Sequence, residues 1–158
     1  MPIMSKISVL MLAALTLLGV SLAGAAGDVA VVVRADTPVD DISFADVRKL
    51  FMGDRQYWNS SLRITVLIYA PGARERDVML KTVYAMTEAQ FQRYWISKIF
   101  RLEASTGPKI VYSSTMAAEL VAAVPGAVAF MDSAIVPKSL KILKIDSRSP
   151  GDKGYSLH

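Results

Sequence analysis

Residues 29–33 read VAVVV, an unbroken apolar run in which four of the five side chains are β-branched. β-branched residues favour extended backbone, and a strand with one face in water would alternate apolar with polar residues. The run therefore predicts a strand that is buried on both faces. Such strands occur in parallel or mixed sheets that are covered by helices on both sides.

Strands and helices are predicted to alternate along the rest of the chain. Mostly apolar segments of strand length occupy residues 64–68, 110–112, 127–131 and 140–145. Apolar side chains at helical spacing predict helices that begin at Ser43, near Arg74–Arg76, at Thr87 and after Ser113. This alternation predicts an α/β fold with one mixed, mostly parallel sheet and helices on both faces, formed by residues 27–146.

Two of the predicted helices carry clear terminal signals. Ser43 is expected to be an N-cap, with Asp46 close to the positive end of the helix dipole. Gly53 is well placed as the residue that ends this helix. Thr87 and Gln90 have the spacing of a capping box.

The first 26 residues have the pattern of a cleaved secretory signal peptide. Lys6 is followed by an uncharged apolar stretch over residues 7–26 that ends in small side chains, and cleavage is expected after Ala25 or Ala26. A membrane anchor is the alternative, but the uninterrupted run 7–20 is shorter than the ~20 residues that span a bilayer.

Residues 147–158 are polar and are expected to form a flexible tail.

Composition excludes several classes of function. The chain has no cysteine, so disulfides, thiol nucleophiles and cysteine metal sites are excluded, and its single histidine is the terminal His158. A Ser-His-Asp triad is therefore not expected, and no enzyme activity, cofactor or metal is predicted. Without Lys6 the chain carries 17 basic and 14 acidic residues, interspersed, which gives no indication of nucleic-acid binding. About 132 mature residues make one domain.

Several segments of the chain form a recognisable set through their order and spacing. They are Leu50-Phe51-Met52-Gly53 with Trp58, Ile64–Ile68 with Pro71-Gly72, Trp95–Phe100, Pro108, and Val121–Phe130. Together these segments resemble the phosphate-binding proteins of ABC transporters, a branch of the periplasmic binding proteins. The resemblance covers roughly residues 29–146 and implies a single lobe of a periplasmic-binding-protein-like fold.

The resemblance also implies where a ligand would bind. In that family, helix N-termini, hydroxyls and an arginine hold phosphate in a cleft between two lobes. The family's strand-end arginine falls on Tyr69 here, and its Ser-Gly-Thr triplet falls on Ala73, Arg74 and Glu75. Glu75 would repel an anion, whereas Arg74 and Arg76 could restore positive charge. The candidate ligand-binding residues are Tyr69, Ala73, Arg74, Glu75, Arg76, Ser113, Ser114 and Thr115.

Each candidate also has a structural interpretation. Ser113, Ser114 and Thr115 can simply cap the helix that follows them, and Arg74 and Arg76 can lie on a solvated helix start. Trp58 and Trp95 are expected to pack in the core rather than to stack on a sugar.

Two functions are therefore open at this point. The first is an exported, periplasmic solute-binding-like protein that resembles phosphate ABC transporter substrate-binding proteins and binds a small anion such as phosphate. The alternative is a periplasmic protein-interaction module that has lost ligand binding and docks on an inner-membrane transporter or sensor.

Overall fold

The computed structural model describes residues 27–158, and the predicted signal peptide over residues 1–26 lies outside this range. The strands are β1 (Val29–Arg34), β2 (Asp41–Ile42), β3 (Thr65–Tyr69), β4 (Lys109–Val111), β5 (Ala127–Asp132), β6 (Leu140–Ile142) and β7 (Lys144–Ile145). The α-helices are α1 (Phe44–Phe51), α2 (Arg74–Val78), α3 (Glu88–Phe100) and α4 (Ser114–Ala123).

Five strands form one mixed sheet in the order β4-β3-β5-β1-β6. Strand β3 pairs in parallel with β4 and β5, whereas β1 runs antiparallel to both of its neighbours, β5 and β6. Four strands thus share one direction, and the predicted α/β class with a mostly parallel sheet is confirmed. Strands β2 and β7 form a separate two-stranded parallel ladder.

Helices cover both faces of this sheet, as predicted. On one face, Val29, Val31 and Val33 of β1 belong to a core that includes side chains of α1 and α3. On the other face, Ala30 and Val32 pack in a second core with side chains of α4. All five residues of the VAVVV run are fully buried, which is why no polar residue could be accommodated within it.

The helix signals in the sequence are confirmed in the structure. The Ser43 hydroxyl accepts a hydrogen bond from the Asp46 backbone N–H at 3.1 Å, and Thr87 and Gln90 form the complete capping box. Gly53 follows α1 with a φ of 76°, in the left-handed region that glycine enters without steric cost.

A hydrogen bond between Trp58 and Gly126 stabilises the turn that leads into β5. The Trp58 indole N–H donates to the Gly126 carbonyl at 3.0 Å, and the indole is buried. Gly126 has a φ of 79°, and a Cβ at this position would lie 1.9 Å from the Arg63 carbonyl oxygen. Only glycine fits here, and the packing role that was predicted for Trp58 agrees with this arrangement.

Two predicted elements differ from the structure in their form. The helix expected from about residue 74 to residue 84 is α-helical only over α2 and continues as a π-helix at Met79–Tyr84, whose wider turn buries Met79, Leu80, Val83 and Tyr84. The single strand expected over 140–145 is divided at Leu143 into β6 and β7. Leu143 itself is fully buried, and its N–H donates to the Val31 carbonyl.

The C-terminal segment is not the flexible tail that its polarity predicts. Leu157 is 0% exposed and Tyr155 is 2% exposed, and both belong to the core beside β1. The Tyr155 hydroxyl donates to the Val29 carbonyl at 2.8 Å, and the Val29 N–H donates to the Leu157 carbonyl at 2.9 Å. Two apolar side chains among polar neighbours are enough to anchor the segment, because their burial removes a large apolar area from water.

Leu157→Ala should therefore lower the free energy of unfolding by about 2–5 kcal/mol, the usual cost of a cavity at a fully buried leucine. Chemical denaturation of residues 27–158 followed by circular dichroism measures this difference. Lys153→Ala, at an exposed position of the same segment, is the matched control and should change stability by less than about 0.5 kcal/mol. Equal stability of the Leu157→Ala and wild-type proteins would contradict the packed C-terminus.

Candidate functional site

The predicted candidate residues lie at the edge of the sheet where β3, β4 and β5 end. These three strands are parallel, so their carboxyl ends meet, and Tyr69 and Val111 are direct neighbours in the ladder. The Tyr69 hydroxyl donates to the Ser114 hydroxyl oxygen at 3.2 Å. The structure thus brings together the strand-end position of β3 and the helix start that follows β4. We call this place the strand-end edge.

Helix α4 begins at this edge with a conventional cap. The Ser113 hydroxyl accepts a hydrogen bond from the Met116 backbone N–H at 3.0 Å. Ser114 is half-buried under Tyr69, whereas Ser113 and Thr115 are exposed. The predicted capping role is therefore confirmed for Ser113. The first-turn N–H groups, which a helix leaves without internal partners, point toward the same edge.

Helix α2 presents a weaker helix start. Its N-cap residue is Ala73, which has no side chain that could accept a hydrogen bond, and the α-helical segment is five residues long. Glu75 lies in its first turn, where a carboxylate occupies the favourable end of the helix dipole.

Arg76 is buried in the structure, with 4% of its surface exposed. Its guanidinium forms a bidentate ion pair with Glu88, in which Nε donates to Oε2 at 2.9 Å and Nη2 donates to Oε1. Nη1 donates to the Tyr69 carbonyl at 2.7 Å, and the group lies 5.1 Å above the Phe91 ring. Arg76 therefore joins β3, α2 and α3, and it occupies neither the solvated helix start nor the open ligand contact that the sequence suggested.

Arg74 is half-exposed, but it is also engaged. Its Nη2 donates to the Gly27 carbonyl at 2.7 Å, and its Nη1 lies 3.8 Å from Asp132 Oδ2. Asp132 ends β5 and accepts further hydrogen bonds from the backbone N–H groups of Gly27 and Ala134. Sequence reasoning missed Asp132, although a polar residue directly after a buried strand is a signal that could have identified it.

The charges at the strand-end edge are balanced or negative. Burial raises the pKa of the Tyr69 hydroxyl, the hydrogen bond with Ser114 opposes this shift, and the carboxylates of Glu75 and Asp132 raise the pKa further. Two carboxylates thus contribute a negative field where an anion would have to bind.

Over residues 27–158, no group of three or more His, Asp or Glu side chains is placed to hold a metal ion. In the same range, no helix is long and apolar enough to cross a bilayer.

Comparison with solved structures finds the same fold in phosphate transport proteins. A protein of Clostridium perfringens assigned as a phosphate ABC transporter substrate-binding protein, solved with bound phosphate, matches with a TM-score of 0.63 and 18% identity, over 78% of this chain and 46% of that one. An ABC-type phosphate transport receptor of Vibrio cholerae matches with a TM-score of 0.62 and 17% identity, over 78% and 48% of the two chains.

A third structure, PstS of Borrelia burgdorferi, gives a TM-score of 0.61 at 12% identity, over 78% of this chain and 49% of that one. The chain spans slightly less than half the length of these structures. No protein-family model matches the sequence, and a search of curated proteins finds no match. The resemblance that the sequence motifs indicate is confirmed at the level of the fold.

The ion pair between the buried Arg76 and the partly exposed Glu88 provides a test of this geometry. Hydrogen bonding to Arg76 holds the pKa of Glu88 below its ordinary value, so the pair adds stability above the unfolded-state pKa and loses it as the pH falls through the folded pKa. Glu88→Gln should cost about 1–3 kcal/mol of unfolding free energy at pH 7, because it leaves a buried guanidinium without its counter-charge.

Urea denaturation of wild type and variant at a series of pH values measures this cost. The difference should be largest at neutral pH and should shrink once the pH falls below about 4. Glu119→Gln, an exposed glutamate on α4, is the matched control and should show no pH-dependent difference. A constant difference between Glu88→Gln and wild type across the series would contradict the assigned role of the ion pair.

Proposed function

We propose that this protein is an exported, periplasmic solute-binding-like protein without enzymatic activity, and that its single lobe binds a small anion such as phosphate at the strand-end edge. The observation that carries the proposal is the start of α4 beside Tyr69, within a fold that phosphate transport proteins share. The uncharged apolar segment over residues 7–26 supports export. The absence of cysteine and the single terminal histidine support a role in binding rather than catalysis.

The bound anion would be held by the first turn of α4. Backbone N–H groups and the helix dipole favour an anion at a helix start, and the hydroxyls of Ser114 and Thr115 lie beside them. The two arginines of the edge add little, because Arg74 already contacts Gly27 and Asp132 and Arg76 is paired with Glu88.

Affinity for phosphate should accordingly be low. A micromolar complex requires about −8 kcal/mol, whereas each exposed hydrogen bond contributes about 0.5–1.5 kcal/mol. The lobe offers an open surface, and the Glu75 and Asp132 carboxylates oppose an anion there. The protein would deliver its solute to an inner-membrane transporter, the class of partner that the names of its structural neighbours indicate.

Isothermal titration of residues 27–158 with inorganic phosphate should give a dissociation constant in the millimolar range, about −4 kcal/mol. Glu75→Gln should strengthen binding about fivefold, since it removes a like charge close to the ligand without disturbing an ion pair. Glu119→Gln is the matched control and should leave the affinity unchanged. No heat at millimolar phosphate from either wild type or Glu75→Gln would overturn the ligand proposal.

A second candidate function is favoured by an exposed apolar surface at the end of α3. We define this α3 patch as Ile96, Ile99, Phe100 and Leu102, of which Phe100 is 86% exposed and Leu102 is 91% exposed. Leu102 adopts a φ of 59°, a conformation that is costly for leucine, and its side chain is almost fully exposed. Contiguous exposed apolar groups are typical of protein contact sites. The alternative function is therefore a periplasmic interaction module that docks on a transporter or sensor and has lost its ligand.

Photo-cross-linking in the cell envelope of the native host tests this alternative. A photoreactive phenylalanine analogue in place of Phe100 should yield one discrete adduct with an inner-membrane protein. The same analogue in place of Ile135, an exposed apolar residue outside the patch, should yield none. The absence of an adduct at residue 100, or identical adducts at both positions, would contradict the interaction role.

A further inference from the structure

A cavity of about 310 Å³ lies at the opposite end of β3 and β4 from the strand-end edge. It is lined by the first residues of these strands, by the end of α1, by Trp95 of α3 and by the loop over residues 104–108. Thr65 lines the cavity and Tyr69 lies at the strand-end edge, so about 13 Å of strand separate the two places. We call this cavity the strand-start pocket.

The charged side chains that line the strand-start pocket are all basic. Arg55, Arg63 and Lys109 line it, and no aspartate or glutamate of residues 27–158 does. The hydroxyls of Ser105 and Thr106 lie in the same wall. Three cations around one cavity therefore create a positive potential that no carboxylate of the wall neutralises.

The hydrogen-bond acceptors of Arg55 and Arg63 do not neutralise this positive charge. Arg63 Nη2 donates to the Ser105 hydroxyl at 2.8 Å, and Arg55 donates to the backbone carbonyls of Tyr57 and Trp58. All three acceptors are neutral. These contacts therefore orient the guanidinium groups and leave their positive charge available for an anion.

The carboxylates that lie closest along the chain are engaged elsewhere. Asp54 and Glu103 both contact the buried Lys98 ammonium, and Glu103 also contacts Arg101. For Lys109, no ion pair is found within residues 27–158. The pocket's cations are thus without acidic partners in the described part of the chain.

The floor of the strand-start pocket is apolar and includes an aromatic ring. Leu50, Ile64 and Trp95 line it, and all three are buried. A Cβ at Gly53 would lie 2.8 Å from the six-membered ring of Trp95, and one at Gly107 would lie 3.9 Å from it. Two glycines therefore flank this ring at the pocket wall, where larger side chains would cover it or displace it.

We propose that the strand-start pocket binds a small organic anion, in which a phosphate or carboxylate group is attached to a ring-sized apolar body. The anionic group would contact Arg63, Lys109 and the Thr106 hydroxyl, and the apolar body would lie against Trp95. The cavity volume is at the lower end of the range found for small-molecule sites, which suits a single ring. This ligand class differs from free phosphate, because half of the pocket is apolar.

Phenyl phosphate, inorganic phosphate and phenol are the probes that test the pocket, with isothermal titration calorimetry as the measurement. Phenyl phosphate should bind at least tenfold more tightly than either of the others, since only it satisfies both halves of the pocket. Lys109→Gln and Arg63→Gln should each weaken phenyl phosphate binding about tenfold, the loss expected for one charge-assisted hydrogen bond. Both positions are exposed, so the variants should fold, and thermal melting checks this.

Two matched controls separate this site from the strand-end edge. Lys138→Gln removes an exposed lysine outside the pocket lining and should leave phenyl phosphate binding unchanged. Glu75→Gln should strengthen only the millimolar site at the strand-end edge, so the tighter binding of phenyl phosphate in the strand-start pocket should keep its dissociation constant. Equal affinity for phenyl phosphate and inorganic phosphate, or full affinity in both Lys109→Gln and Arg63→Gln, would overturn the proposal.

Discussion

The antiparallel pairing of β1 with β5 is the constraint from which the rest of the structure follows. Strand β1 is buried on both faces and hydrogen-bonded on both sides, so it holds the two cores together. Because it runs against β3, β4 and β5, its first residue lies beside Asp132 at the strand-end edge. This orientation brings Gly27 within reach of Arg74 and places the C-terminal segment next to Val29. The start of the described chain thus occupies the same edge as the candidate ligand residues.

Folding and anion binding compete for the same two arginines at the strand-end edge. This competition explains why the edge offers little positive charge to a ligand. A buried guanidinium has to be paired, and Glu88 together with the Tyr69 carbonyl fulfils this need for Arg76. Asp132 engages Arg74 in a similar way, although at the surface. The positive charges at this end of the sheet therefore form internal contacts. At the other end, the acceptors that Arg55 and Arg63 contact within the described part of the chain are neutral.

The sequence is sufficient to predict the parts of the fold that are governed by local rules. The VAVVV run predicts a doubly covered strand, and Ser43, Thr87 and Gln90 predict helix starts, because caps and apolar runs act within a few residues. The Arg76–Glu88 pair and the burial of Tyr155 and Leu157 depend on contacts across the fold, which local patterns do not encode. The strand-start pocket depends on such a contact as well. Lys109 is distant in sequence from Arg55 and Arg63, and the parallel pairing of β3 with β4 brings its segment next to theirs.

The two outer strands of the main sheet, β4 and β6, are each three residues long, and each contains a lysine. An outer strand exposes unpaired backbone groups that can recruit a strand from another molecule, and this recruitment leads to aggregation. Short length limits the number of intermolecular hydrogen bonds. At β4 the exposed charge of Lys109 also penalises the stacking of like copies, whereas at β6 Lys141 is paired with Asp40. Although the sheet is open at both sides, its short outer strands therefore disfavour aggregation by strand pairing between copies of the chain.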